Sequence, residues 1–191
     1  IRTLPVGQYP DVAPPAVNNV PRPTPTKPKP AATAKPYRWV TVAPVFTGTY
    51  RGGWRSDTNE LYQGDWTGRG LNTGFAGFST RLTGLRADLT RTRVVRVRVK
   101  RLDGGSYSAQ APTVWTTTQG TKPSGNVTRL GSTAGPSLKI GASSHVDLPS
   151  GMADDLLDGT ARGVAIYVGT SSPYVHLDNT IAISVYYAPK P

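Results

Sequence analysis

Proline sets the first limit on what this chain can fold into. Ten of its eighteen prolines fall in the first 36 residues, which end in the run PRPTPTKPKPAATAKP. Proline withholds the backbone N–H and fixes φ, and the segment offers few large apolar side chains, so it cannot build a core of its own. From Tyr37 onward the text changes to short β-like stretches punctuated by glycine. The chain reads as an extended, basic, Pro-rich arm over residues 1–36 and one β domain over residues 37–191. An arm without self-contained packing becomes ordered by docking on something else. Pro21, Pro23, Pro25, Lys27, Pro28, Lys29 and Pro30 are its docking candidates. The sequence opens on Ile1 rather than methionine, and the expectation is a processed chain or, by preference, part of a longer polypeptide.

About 150 residues after the arm suit one domain with a real core and are too few for two. With 21 glycines and 37% hydrophobic residues, a turn-dense β protein fits better than a helical one. No apolar run approaches the ~18 residues of a membrane-spanning helix, so no membrane insertion is expected. The absence of cysteine removes disulfides, thiolate nucleophiles and sulfur-ligated zinc. His145, His176 and the single glutamate Glu60 are a thin inventory for acid–base chemistry.

Period-two alternation marks the strands. In Thr92–Leu102 (TRVVRVRVKRL), Val95, Val97 and Val99 share one face and Arg96, Arg98 and Lys100 the other. Thr180–Ala188 alternates likewise, with Ile181, Ile183, Val185 and Tyr187 inward. Gly163–Val168 and Ala111–Thr118 are further strands, and weaker ones are expected at Trp39–Val45, Thr47–Trp54, Leu61–Trp66, Phe75–Thr80, Ser137–Ile140 and Ser144–Leu148. Ser150–Gly159 predicts one short helix, with Ser150 as cap, Asp154 and Asp155 near its start and Gly159 at its end. The sum is an all-β protein: an antiparallel β-sandwich of jelly-roll type with one short helix.

The densest cluster of unusual residues is Tyr50–Trp66, YRGGWRSDTNELYQGDW. Tyr50, Trp54, Tyr62 and Trp66 beside Asp57 are the glycan- or host-contact candidates, because rings stack on sugar faces while carboxylates bond to hydroxyls. The same residues suit a hairpin whose aromatics fill space and whose Arg–Asp pairs fix a loop, and the scarcity of phenylalanine favours that reading. Asp57, Asn59, Glu60 and Asp65 do not match a calcium loop, so no metal site is assigned. His176, with Asp178 nearby, reads as a surface strand end, since no nucleophile elbow surrounds any serine. No phosphate loop or dinucleotide fingerprint is present, so no cofactor and no catalytic residue are assigned.

The net charge of +11 has two sources, the arm and the stretch Arg81–Arg101. Arg96, Arg98 and Lys100 read first as a solvated face that discourages edge aggregation, next as a subunit-docking surface. A nucleic-acid groove comes last, because few aromatics interleave with the charge and no recognition motif accompanies it. No nucleic-acid partner is expected.

The succession FTGTYRGGWRSDTNELYQGDWTGRG, VVRVRVKRLDGGSYSAQAPTVWTTTQGTKPSG and ARGVAIYVGTSSPYVHLD resembles the carboxy-terminal β domain of minor tail proteins from mycobacteriophage-like phages of actinobacteria. The resemblance covers residues 45–187 and leaves out the arm. It implies a virion structural protein of the tail tip or a tail fibre. The implied partners are other tail subunits and host cell-envelope glycan, and a homo-oligomer in the particle is implied by analogy. A capsid decoration protein is the alternative, and a glycan-active enzyme a more distant one.

Overall fold

A computed structural model describes residues 35–85 and 87–189, residues 87–89 by their backbone alone. Residues 1–34 of the arm, with the docking candidates among them, lie outside the described residues. Eleven strands, β1 Arg38–Val42, β2 Phe46–Tyr50, β3 Leu61–Gly64, β4 Asn72–Gly77, β5 Ala87–Lys100, β6 Thr113–Thr117, β7 Arg129–Ala134, β8 Ser143–Asp147, β9 Gly163–Ile166, β10 Val175–Leu177 and β11 Ala182–Pro189, form two antiparallel sheets. One sheet runs β1-β11-β5-β8. The other runs β10-β3-β4-β9-β6-β7, with β2 beside β4. The chain passes repeatedly from one sheet to the other, the wiring expected of a jelly-roll-like sandwich.

Alternation explains the packing. Val95, Val97 and Val99 of β5 and Ile183, Val185 and Tyr187 of β11 are buried against Ala76, Val114, Val164 and Ile166 of the larger sheet, in one continuous core. The helix α1 (Ser150–Asp158) adds Met152, Ala153, Leu156 and Leu157 to that core and touches strands of both sheets. Gly159 ends it in the left-handed conformation, as its sequence predicts. Ser150 does not cap it: Pro149 holds that position without a side-chain bond, and no acidic residue falls in the first turn. Ser137–Ile140 is no strand either; only Leu138 bridges, to Gln110. Two short strands, β7 and β10, stand where the sequence gives no alternation to read.

β4 organises the site described below. On one side it pairs with β2 over Phe46–Tyr50. Its other side is divided: Gly74–Gly77 pair with β9, while Asn72 and Thr73 pair with β3. β3 then carries β10 as the edge strand of the sheet.

Arg101, just past β5, continues the inward register of Val95, Val97 and Val99 and is 0% exposed. Among the described residues no carboxylate pairs with it. Its Nη1 donates to the carbonyls of Ser108 and Leu138 at 2.7 Å each, and Nη2 donates to Ser106 O. Burial lowers its pKa from the ordinary arginine value. Carbonyl dipoles thus solvate the charge, and in exchange the 103–110 loop is tied to the core. Arg101→Met should leave these carbonyls without donors and cost about 2–4 kcal/mol. Urea denaturation followed by tryptophan fluorescence measures it; an unchanged midpoint would show that the cage contributes nothing.

Candidate functional site

β10 sets His176 directly opposite Tyr62 of β3. Leu61, Val175 and Leu177 belong to the core, so the intervening His176 and Tyr62 turn away from it. Their rings stack at 4.2 Å and 10°. His176 Nδ1 lies 2.6 Å from Asp103 O, which can only accept, so that nitrogen donates. Nε2 lies 2.6 Å from Glu60 Oε2, with one proton between them. His176 is 9% exposed. The expected surface strand end is therefore a buried strut, because the 103–110 loop folds over it. Asp178 is not its partner; it accepts from Thr180 N at 2.7 Å and meets Lys100 at 3.6 Å.

From this strut the aromatics extend outward. Tyr174 lies 6.1 Å from Tyr62, and Trp66 5.9 Å from Tyr174. The Arg55 guanidinium sits 4.6 Å over the Tyr62 ring and grips Asp57 through Nε–Oδ1 (3.0 Å) and Nη2–Oδ2 (2.6 Å). That bond holds the Asp57 carboxyl down at about 2 and raises Arg55. Burial raises the hydroxyls of both Tyr62 and Tyr174.

Two loops have the backbone that this arrangement needs. Gly105, at φ 73°, lies so close to Tyr174 that a Cβ would come within 2.5 Å of Cδ1. Asp65 pins the 65–70 turn by accepting from Thr67 N (3.1 Å), Arg69 N (3.2 Å) and Gly70 N (3.0 Å). Desolvation works against its ionisation, but the amide donors prevail and its pKa falls below the ordinary value. Trp66, 59% exposed, stands on that turn.

Two adjoining depressions result, and Trp66 and Tyr174 border both. One, of about 220 Å³, is lined by Arg51, Arg55, Asp57, Tyr62, Arg69 and Asn72. The other, of about 290 Å³, is lined by Asp65, Ser106, Gln110, Ser171 and Ser172. Polar groups beside an exposed ring, with two half-buried rings behind it, are features that suit a sugar-binding surface.

The candidates read from the sequence are split. Asp57, Tyr62 and Trp66 come together here. Tyr50 and Trp54 do not: Trp54 donates its indole N–H to Pro123 O at 2.7 Å and packs on Phe46, Tyr50 and Phe75, in a second small core on the far face of the larger sheet. Trp54 fills space there, and Tyr50 packs against its edge. Sequence reasoning missed Tyr174, Arg69 and Asn72. Tyr174 comes in just before β10, Arg69 on the 65–70 turn and Asn72 at the start of β4, and none of these places announces itself by periodicity.

Arg96, Arg98 and Lys100 face outward on the smaller sheet, and only Arg98 is well exposed. Arg96 stacks 3.9 Å over Trp39, which packs on Tyr186 at 5.1 Å, and Arg91 and Arg93 flank Tyr37. Aromatics therefore do interleave with this charge, supplied by β11 and by β1 with the residue before it. The strand expected to be merely solvated carries a layer of cation–π contacts.

Among the described residues, no three His, Cys, Asp or Glu side chains gather as a metal site, and no helix is long and apolar enough to cross a membrane. No protein-family model matches the chain, and no curated protein matches it.

The Arg55–Asp57 pair gives a pH signature. A carboxyl depressed from 3.8 to about 2 contributes fully above its ordinary value and is lost as pH falls through about 2. Carboxyl-detected NMR should place the Asp57 midpoint near 2, and Arg55→Gln should return it upward. A midpoint near 3.8 in the unaltered protein would rule out the grip.

Proposed function

We propose that this chain is a phage virion structural protein of the tail, whose β-sandwich contacts the host envelope through the Tyr62–Tyr174–Trp66 surface. The observation that carries the reading is that surface: three rings in succession, one largely exposed, with two depressions beside them. The resemblance to actinobacteriophage minor tail proteins supplies the setting, a particle that must hold a glycan-coated cell. A sugar ring in each depression, with Trp66 between them, fits an extended polysaccharide better than a compact ligand.

Binding suits the site better than hydrolysis. Glycoside cleavage needs a carboxyl that stays protonated to act as general acid. Asp57 and Asp65 are instead held ionised by an arginine and by backbone amides, and Glu60 is committed to His176. Those groups position loops.

Trp66→Ala should weaken attachment of the fluorescently labelled protein to host cells at least tenfold without altering its melting temperature. Trp54→Ala should do the reverse, lowering stability by about 2–3 kcal/mol while folded molecules still bind. A folded Trp66→Ala protein that binds like the original would overturn this surface as the contact. The arm has a separate part in the proposal, anchoring the domain to other tail subunits. Removing residues 1–36 should leave a folded domain, read by circular dichroism, that fails to enter particles; normal incorporation would refute the anchor.

A further inference from the structure

The two depressions differ in charge. Around the first stand three guanidinium groups, those of Arg51, Arg55 and Arg69, against the single carboxylate of Asp57. Asp57 is taken by Arg55, and no ion pair forms at Arg51 or Arg69 among the described residues. The second depression offers hydroxyls, an amide and one carboxylate, Asp65, that backbone amides already satisfy.

A second observation concerns the uncharged part of the ligand. Asn72 lines the first depression and is 3% exposed. Its Nδ2 donates to Gly64 O at 2.8 Å, which fixes the amide's orientation, and its Oδ1 has no hydrogen-bond donor. Buried acceptors are costly to leave unpaired. A simple anion would answer the arginines and leave Asn72 as it is. A sugar hydroxyl is the donor that Oδ1 lacks.

We infer that the first depression selects an acidic sugar, a ring bearing a carboxylate or phosphate, and that the second holds its neutral neighbour along the same polysaccharide. The inference rests on the glycan-binding reading and adds the ligand's class and direction. Arg51 and Arg69 receive the anionic group, because free guanidinium forks match carboxylate and phosphate oxygens in pairs. The Tyr174 ring supports the sugar body, and Asn72 takes a hydroxyl; both faces of Tyr62 are already covered, by His176 and Arg55. Trp66 separates the two rings.

The test is calorimetric titration of the full chain with cell-wall polysaccharide from a mycolate-bearing actinobacterium in three forms: native, carboxyl-reduced and dephosphorylated. The native form should bind, and one treatment should weaken binding at least tenfold; which one names the anion. The double variant Arg51→Gln, Arg69→Gln, on surface loops and checked for folding by circular dichroism, should bind native and treated forms within about twofold of each other. Native, reduced and dephosphorylated forms binding the unaltered protein equally would overturn the acidic preference while sparing the glycan reading. Inorganic phosphate binding as tightly as the polysaccharide would reduce the site to an anion site and overturn the role given to Asn72. Failure of the native polysaccharide to bind would overturn the glycan reading and this inference with it.

Discussion

A buried charge holds the aromatic surface of this protein in place. Arg101 lies in the core without a counter-ion among the described residues, and three backbone carbonyls answer it. Lysine could not substitute, because one ammonium cannot span carbonyls that a planar fork reaches from two nitrogens. The consequence travels outward. The 103–110 loop that Arg101 anchors also supplies Asp103 O to His176 and lays Gly105 against Tyr174. His176 in turn stacks under Tyr62 and fixes Glu60. Removing the guanidinium would loosen a loop first and the aromatic surface next.

The sequence shows the sandwich clearly where the pleat is half-buried. β5 and β11 alternate cleanly because one face meets the other sheet, and α1 is legible from its apolar side and terminal glycine. β7 and β10 are hidden for opposite reasons. β7, RLGSTA, is a polar edge strand whose burial alternates only between half-buried and exposed, with no apolar face to mark it in the sequence. β10 is three residues long, all buried, and too short to show any period. Arg101 is instructive in another way. Alternation from Val95 places it inside, and only the habit of reading charge as surface argues otherwise.

The site is harder to read than the fold, because equal residues end up with unequal work. Trp54 and Trp66 sit twelve positions apart in one aromatic cluster of the sequence. Trp54 meets Phe46 and Phe75, which come from paired strands, and closes a small core; Trp66 rides a turn with nothing over it. The same holds for the cations: β1 and β11 bring Trp39 and Tyr186 to Arg96 across long stretches of chain. Both distinctions are matters of long-range register. No local pattern encodes them.

The placement of charge within the site follows one logic. Each acidic side chain there is engaged in fixing a loop: Asp57 by an arginine, Asp65 by backbone amides, Glu60 by His176. Loops held this way have little backbone freedom left to lose on binding, and Arg55, gripped by Asp57, is already oriented. Arg51 and Arg69 make no ion pair among the described residues and set the sign of the field. Because the acids are used up internally, the surface left to a partner is one of rings and positive charge. A ligand that carries both a face and a charge, as proposed above, would use the two together.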